Sequence, residues 1–315
     1  MIFTRELALM ETATRVAPRN CGVDLDLDDN AFGFFRDSTD AVADPAALHA
    51  RMQKDGYLFL PGLLGRDRVL SARHEVCRRL ADAGMLDPTA PVDDGILLNA
   101  DAREPMPDGL AKDNAPLLRV VYDGPMMAFW QVFLGGEVRH FDFTWFRAIP
   151  PGEGTPSHCD AVYMGRGTQN LYTAWTPFGD ISPEVGGLMI LEGSNNHQRL
   201  VETYCNTDVD SFCANRDGPA GLDGWHKTSG WLGRDANRIR RSLGGRWLTC
   251  PQFHAGDVLV FSIQTVHAGL DNQSANRVRL SCDTRYQLAS EPADERWIGP
   301  NPIGHGPASK RGKIC

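Results

Sequence analysis

The chain changes its hydrophobic rhythm near residue 138. Before that point, apolar residues recur at helical spacing. Val69, Leu70, Val76, Leu80 and Ala83 follow three- and four-residue steps with arginines between them, which predicts an amphipathic helix over 67–83. DPAALHARMQKDG at 44–56 predicts a shorter helix, capped by Asp44, started by Pro45 and stopped by Gly56. YLFLPGLL at 57–64 reads as a strand broken by a Pro-Gly turn, and PMMAFWQVFLG at 125–135 as a buried helix. Residues 1–44 and 85–117 show no such period; the second stretch is rich in Pro, Asp and Gly and predicts irregular chain.

After residue 138, short apolar runs alternate with turn residues: VRHFDFTWFRAI, NLYTAWTPF, GLMILEGS, DVLVFSIQTVHA and RVRLSCDTRYQ. Strands at this spacing predict an antiparallel sandwich or barrel, with the earlier helices bracing one sheet. Residues 202–252 interrupt the pattern without clear strands, and the Gly- and Pro-rich tail 291–315 is expected to run over the surface. The expected organisation is one domain over 1–315. It has a mainly helical part at 1–135, a β core at 136–290 with the insertion 202–252, and a tail.

Composition narrows the function classes. The 315 residues are 42% hydrophobic and 23% charged, enough for a full core. A net charge of −8 argues against a nucleic-acid or anionic-membrane binder, and no apolar run is long enough to span a membrane. The first twenty residues carry charges inside their apolar stretch and do not read as a secretory signal. The eight cysteines include no Cys-x-x-Cys pair, so reduced thiols of a cytoplasmic protein are expected rather than a zinc ribbon or disulfide framework.

Chemistry concentrates in SHCDA at 157–161. Residues two apart on a strand share a face, so His158 and Asp160 would project together with Cys159 opposite. An imidazole and a carboxylate are two of the three protein ligands of a facial-triad Fe(II) site, although a hydrogen-bonded His and Asp near a turn is the plainer alternative. GDVLVFSIQTVHAG supplies a distant histidine, His267, at the end of an apolar strand. Arg277 opens the next strand across a turn-rich loop, so a hairpin would bring it near His267. Arg279 shares its face.

In this order the segments resemble the phytanoyl-CoA dioxygenase-like branch of the Fe(II)/2-oxoglutarate-dependent oxygenases. KDGYLFLPGLL is similar to that family's first strand and turn, and HCD to its His-x-Asp motif. WTPFGDISPEVGGLMILEGSNNH is similar to its hairpin segment, and GDVLVFSIQTVHAGLDNQSANRVRLSCDTRYQ to the last ligand histidine and the arginine strand. The resemblance spans roughly 54–287 and implies a double-stranded β-helix, or jelly roll, that is mainly β with N-terminal helices packed on one sheet. It implies that His158, Asp160 and His267 hold Fe(II) and that Arg277 grips the distal carboxylate of 2-oxoglutarate. Arg279 is the alternative grip, and Thr173 can donate to the keto acid. The expected reaction is dioxygenase hydroxylation of a small molecule, with an anionic or CoA-linked substrate among the expected classes, O2 consumed, and succinate and CO2 released. The carboxylate ligand disfavours halogenation. The longer Gly-Ser-to-His step at GSNNH and the insertion 202–252 depart from the family pattern.

Two other readings stay open: a non-redox jelly-roll metal enzyme, hydrolase or isomerase, and a non-catalytic binding protein of the same fold. His197 and Trp175 are expected in structural roles, with a substrate-facing place as the alternative for each, and Cys159 outside the chemistry; Arg147 is expected on a solvated strand edge, with a reach into the pocket as the alternative. Arg234, Arg238, Arg240, Arg241 and Arg246 lie within thirteen residues; they predict either a solvated helix face or a cover that selects an anionic substrate. The sequence leaves the oligomeric state open.

Overall fold

The computed structural model describes residues 16–100, 106–213 and 230–313. Two-residue strands β1 (Arg19–Asn20) and β2 (Val23–Asp24) form a hairpin, and β3 (Phe32–Phe34) follows. The helix Pro45–Asp55 begins where the sequence places it. The Asp44 side chain accepts the Ala47 N–H, and Gly56 ends the helix at φ 83°, a left-handed conformation that suits glycine. β4 (Tyr57–Leu60) leads to the helix Arg66–Asp82, which buries Val69, Ala72, Val76, Cys77 and Leu80. The helix Ala115–Tyr122 starts inside the stretch that read as irregular; Asn114 caps it, and it buries Leu117, Val120 and Val121. At eight residues it is too short for a clear period. The helix Pro125–Leu134 completes the helical layer.

The later strands are β5 (Val138–His140), β6 (Trp145–Ile149), β7 (Tyr172–Pro177), β8 (Leu188–Leu191) and β9 (Ser211–Cys213). They continue with β10 (Trp247–Thr249), β11 (Val258–Ser262), β12 (His267–Gly269), β13 (Arg279–Leu288) and β14 (Arg311–Lys313). One sheet runs β4-β11-β7-β13-β5, with β6 also on β13; the other runs β12-β8-β10-β3. β9 and β14 form a small parallel pair. The two main sheets make an open jelly-roll sandwich, as the sequence reading expects.

Three apolar clusters follow from strand alternation. Leu58, Val258, Val260, Leu280, Cys282 and Tyr286 face the helices, where Val69, Val76, Trp130 and Phe133 pack. Phe59, Trp175, Leu259 and Phe261 turn the other way and meet Leu188, Ile190 and Leu248 of the second sheet, so this cluster fills the sandwich. Met189, Leu191 and Ala268 back the second sheet against Cys159, Leu200 and Trp297. Strands buried on both faces read as continuous apolar runs such as VLVF rather than alternating ones.

Three sequence expectations are corrected. Trp247–Thr249 lies in the stretch read as an insertion, yet β10 pairs with β8 and, in parallel, with β3. Three residues are too few to carry a visible alternation. The run DVLVFSIQTVHAG is two strands in different sheets, so His267 opens β12 instead of ending β11. The tail is not all surface: Asp294, Arg296 and Trp297 are buried against the 208–210 segment and the second sheet. A fully paired guanidinium made that burial possible, and tail composition gave no sign of it.

Candidate functional site

His158 and His267 are joined through their backbones. The His158 N–H donates to the His267 carbonyl at 3.0 Å, and the reverse bond is also 3.0 Å. This isolated bridge sets the two rings 4.2 Å apart. After His158 the chain turns into the short helix Ala161–Met164, and Asp160 sits at its start. The His-x-Asp pair therefore converges across a bridge and a turn, not along one regular strand. Cys159 points the other way, into the cluster behind the second sheet.

Hydrogen bonds orient each group. The Nδ1–H of His158 donates to the Pro156 carbonyl at 2.8 Å, and that of His267 to the Thr265 carbonyl at 3.1 Å. Both Nε2 lone pairs are thereby left for a Lewis acid. Oδ2 of Asp160 accepts from Thr173 Oγ1 at 2.6 Å and from Arg285 Nη2 at 2.9 Å, while Oδ1 faces His267 Nε2 at 3.8 Å. One ligand atom from each of His158, Asp160 and His267 lies within 4.8 Å of the others, and all three residues are buried.

The electrostatics suit a metal. Burial pushes the His158 imidazole down to about 3, with His267 beside it acting the same way. Burial also lowers His267 despite the Asp160 carboxylate. Burial opposes ionisation of Asp160, but Arg285 and the two imidazoles outweigh it and hold the carboxyl below the usual range. Two neutral imidazoles and one carboxylate are the donor set of a facial-triad Fe(II) site. The Phe261 ring, 4.6 Å from the His267 ring, walls off one side.

Register defines the rest of the chamber. On β13, Arg285 stands opposite Thr173, Asp283 opposite Trp175 and Trp145, Ser281 opposite Arg147, and Arg279 opposite Ile149. Directly opposed residues share a face, so Arg279, Ser281, Asp283, Arg285, Trp145 and Arg147 share the face on which Thr173 holds Asp160. Arg285 lies over the Trp145 ring, 4.4 Å from its centroid. Asp283 accepts from Arg147 Nε at 2.6 Å. Arg279 is buried, and Nη1 donates to the carbonyls of Gly186 and Leu270, each at 3.0 Å. Burial lowers its pKa to about 10, assisted by Arg147. Arg279 Nε, Ser281 Oγ, and Arg285 Nε and Nη1 are buried without a partner among the described residues. Such orphaned donors fit a dianionic cosubstrate.

The sequence candidates separate here. Arg277 precedes β13, is exposed, and lines an outer cleft of about 300 Å³ with Arg66, Arg73 and Asp180. The turn at Asn272 and Ser274 holds the Arg277 carbonyl, and pairing with β6 begins only at Arg279. Thr173 stands beside the ligand carboxylate, with its hydroxyl already committed to Asp160. Trp175 packs against Phe253, and His197 accepts the Leu200 N–H as a helix cap. His140 stacks on Tyr122, His254 lies beside Asp180, and His226 is outside the described residues. Arg234, Arg240 and Arg246 pair with Glu153, Asp26 and Glu192, while Arg238 and Arg241 are exposed.

Sequence reasoning missed Arg285 and Asp283, and ranked the inward turn of Arg147 below a solvated strand edge. A signal was present: RLSCDTR places charges at 279, 283 and 285 on one face of a strand whose other face is apolar.

Comparisons with known proteins bear on the family and the fold. The family profile described as Phytanoyl-CoA dioxygenase (PhyH) matches residues 52–280. The 1-deoxypentalenic acid 11-beta-hydroxylase of Streptomyces exfoliatus is 26% identical over 283 residues, covering 87% of this chain and 92% of that protein. The same-named protein of Streptomyces arenae is 25% identical over 290 residues, covering 89% and 94%. EctD from S. alaskensis shares the fold at TM-score 0.53 and 18% identity, covering 92% of this chain and 94% of that one. The non-heme alpha ketoglutarate dependent carbocyclase SnoK does so at TM-score 0.52 and 16% identity, covering 84% and 88%.

Proposed function

The chain belongs to the phytanoyl-CoA dioxygenase family, and from that premise we propose how its residues divide the work of an Fe(II)- and 2-oxoglutarate-dependent dioxygenase. The enzyme hydroxylates a small molecule. Iron, 2-oxoglutarate and dioxygen supply the oxidising power for a C–H bond, with one oxygen atom leaving in succinate, the keto acid's carboxylate leaving as CO2, and the other oxygen entering the product.

His158, Asp160 and His267 hold the iron. The observation that carries this is the convergence of three buried ligand atoms within 4.8 Å, each oriented by a second hydrogen bond. Thr173 and Arg285 grip Oδ2 of Asp160, which leaves Oδ1 turned toward the imidazoles. Arg279 receives the distal carboxylate of 2-oxoglutarate. Its burial and its free Nε support it over Arg277, whose exposed guanidinium would have to compete with water. The inward apolar side chains, Phe261 among them, exclude water from the reacting atoms.

The relatives' name supports a small organic acid as the substrate class, and their acid carries no CoA in its name. A cytoplasmic setting is supported by Cys21, Cys77, Cys159, Cys205 and Cys282, which form no disulfide. No described helix is long and apolar enough to cross a membrane. A hydrolytic zinc enzyme would give Arg279 no dianion to hold.

The test is succinate release from 2-oxoglutarate with Fe(II), ascorbate and oxygen across a panel of small organic acids. Wild type is expected to release succinate in an iron-dependent way. His158→Ala is expected to fall by about a thousandfold or more, some 4 kcal/mol of transition-state stabilisation. Iron-independent release, or equal release by the variant, would overturn the assignment.

A further inference from the structure

We propose that Arg147 anchors a carboxylate on the substrate, and that the substrate is a small, largely apolar monoanion. The inference rests on the site reading above and deepens it.

Arg147 differs from the other two guanidiniums of the chamber. Arg279 and Arg285 are buried, at 4% and 2% exposure. The Arg147 side chain is 40% exposed, so a molecule entering the chamber can reach it. Asp283 fixes the guanidinium through Nε at 2.6 Å. Both Nη groups lack a protein partner among the described residues, and these are the atoms that form a paired fork with a carboxylate. Asp283 orients the fork and occupies only its inner edge.

The surroundings suit an apolar body on that carboxylate. Trp145, two residues earlier on the same face, packs against Trp297 at 4.7 Å. Trp297 packs against His305 at 4.8 Å, and His305 against Tyr163 at 5.4 Å. Tyr163 meets the His158 ring at 5.7 Å. Trp145 beside Arg147 and Tyr163 beside the metal-ligand ring are half-buried and give apolar contact to whatever spans the distance, while the buried Trp297 supports them from behind.

Charge points the same way. The shared face carries the guanidiniums of Arg147, Arg279 and Arg285. Arg285 is buried against Asp160, and Arg279 is buried and taken by 2-oxoglutarate. Of the three, Arg147 alone has both free donors and an open approach, and one open fork takes one carboxylate.

The test reads binding and needs no turnover. Decanoate and adamantanecarboxylate, each against its methyl ester, are titrated into the metal-free protein and followed by tryptophan fluorescence, which Trp145 and Trp297 report. Wild type is expected to bind each acid at least about tenfold more tightly than its ester. Arg147→Gln is expected to abolish that preference by weakening the acids and leaving the esters unchanged. Arg147→Lys should keep the preference within about threefold, since the charge stays and only the fork is lost. The affinity for 2-oxoglutarate with Mn(II), from calorimetry, should stay within about twofold in every variant. Should Arg147→Gln fail to fold because Asp283 is left alone, Arg147→Gln with Asp283→Asn removes the pair together and is expected to show the same loss. Three results overturn the proposal: wild type with no preference for the acids, Arg147→Gln binding the acids as wild type does, or Arg147→Gln weakening 2-oxoglutarate as much as the acids. None depends on succinate release, so the proposal and the enzymatic assignment fail separately.

Discussion

Arg285 and Arg296 are buried alike, at 2% and 0% exposure, and their surroundings are opposite. Arg296 is saturated. Its Nε and Nη2 donate to Asp294 at 2.9 and 2.5 Å, and Nη1 donates to Asp210 at 2.8 Å and Asp208 at 3.3 Å. Arg285 makes one hydrogen bond, to Asp160, and its Nε and Nη1 have no partner among the described residues. A buried donor left unmet costs about 1–3 kcal/mol, so a chain keeps one only where something else repays it. The saturated cluster fastens the tail to the 208–210 segment. The unsaturated one stands beside three convergent ligand atoms. Between these two guanidiniums, equally buried and equally charged, the difference is the hydrogen-bonding capacity left unmet.

Breaking the saturated cluster should have the largest effect. Arg296→Met strands the buried carboxylate of Asp294, while Asp210 keeps His305 and Lys310, and the loss of a buried partner destabilises by about 3–5 kcal/mol. Urea unfolding would measure it, with Mn(II) affinity of the folded variant expected to match wild type. A loss below about 1 kcal/mol would show that the tail is held by apolar contacts through Trp297 rather than by charge.

Arg285→Met comes next, and here stability and function should part. The variant leaves Oδ2 of Asp160 held by Thr173 alone, so the carboxylate is less firmly set against the imidazoles. Metal affinity is expected to weaken about 10–100-fold, the range for losing a group that orients a ligand. Titration of Mn(II) followed by electron paramagnetic resonance reads this without turnover. The unfolding loss should be smaller than that of Arg296→Met, because Thr173 still holds Asp160. Unchanged affinity would make Arg285 a scaffold residue like Arg296 and erase the contrast.

The same contrast explains what the sequence made legible. Helix boundaries at Asp44 and Gly56 were readable because capping is local. The strand-rich core was readable because turn residues separate its segments. The triad candidates came from motif order. What stayed hidden depends on pairing across the fold: β10 is three residues long, and its identity comes from β8 and β3 on either side. Whether Arg277 or Arg279 faces inward depends on where β13 starts to pair with β6. Trp297 and Arg296 lie in a stretch whose Gly and Pro content describes its turns, not its anchors.

Acid gives the smallest and most selective probe of the comparison. Burial alone would raise the carboxyls of Asp208 and Asp210. Arg166 at Asp208, and His305 with Arg296 at Asp210, outweigh it and hold both below the ordinary carboxylate value. The folded state therefore binds protons at these groups less readily than the unfolded chain, whose aspartates titrate near pH 3.9, roughly. Stability from this source is complete above about pH 4 and is lost as pH falls through the lower folded values. Urea midpoints measured from neutral pH downward should hold steady and then decline below about pH 4 in wild type. In Arg296→Met the depression of Asp210 shrinks, so the decline should be shallower from a lower starting point. An equally steep decline in both proteins would place the acid sensitivity elsewhere. It would also mean that Arg296 serves the fold through packing and not through its charge.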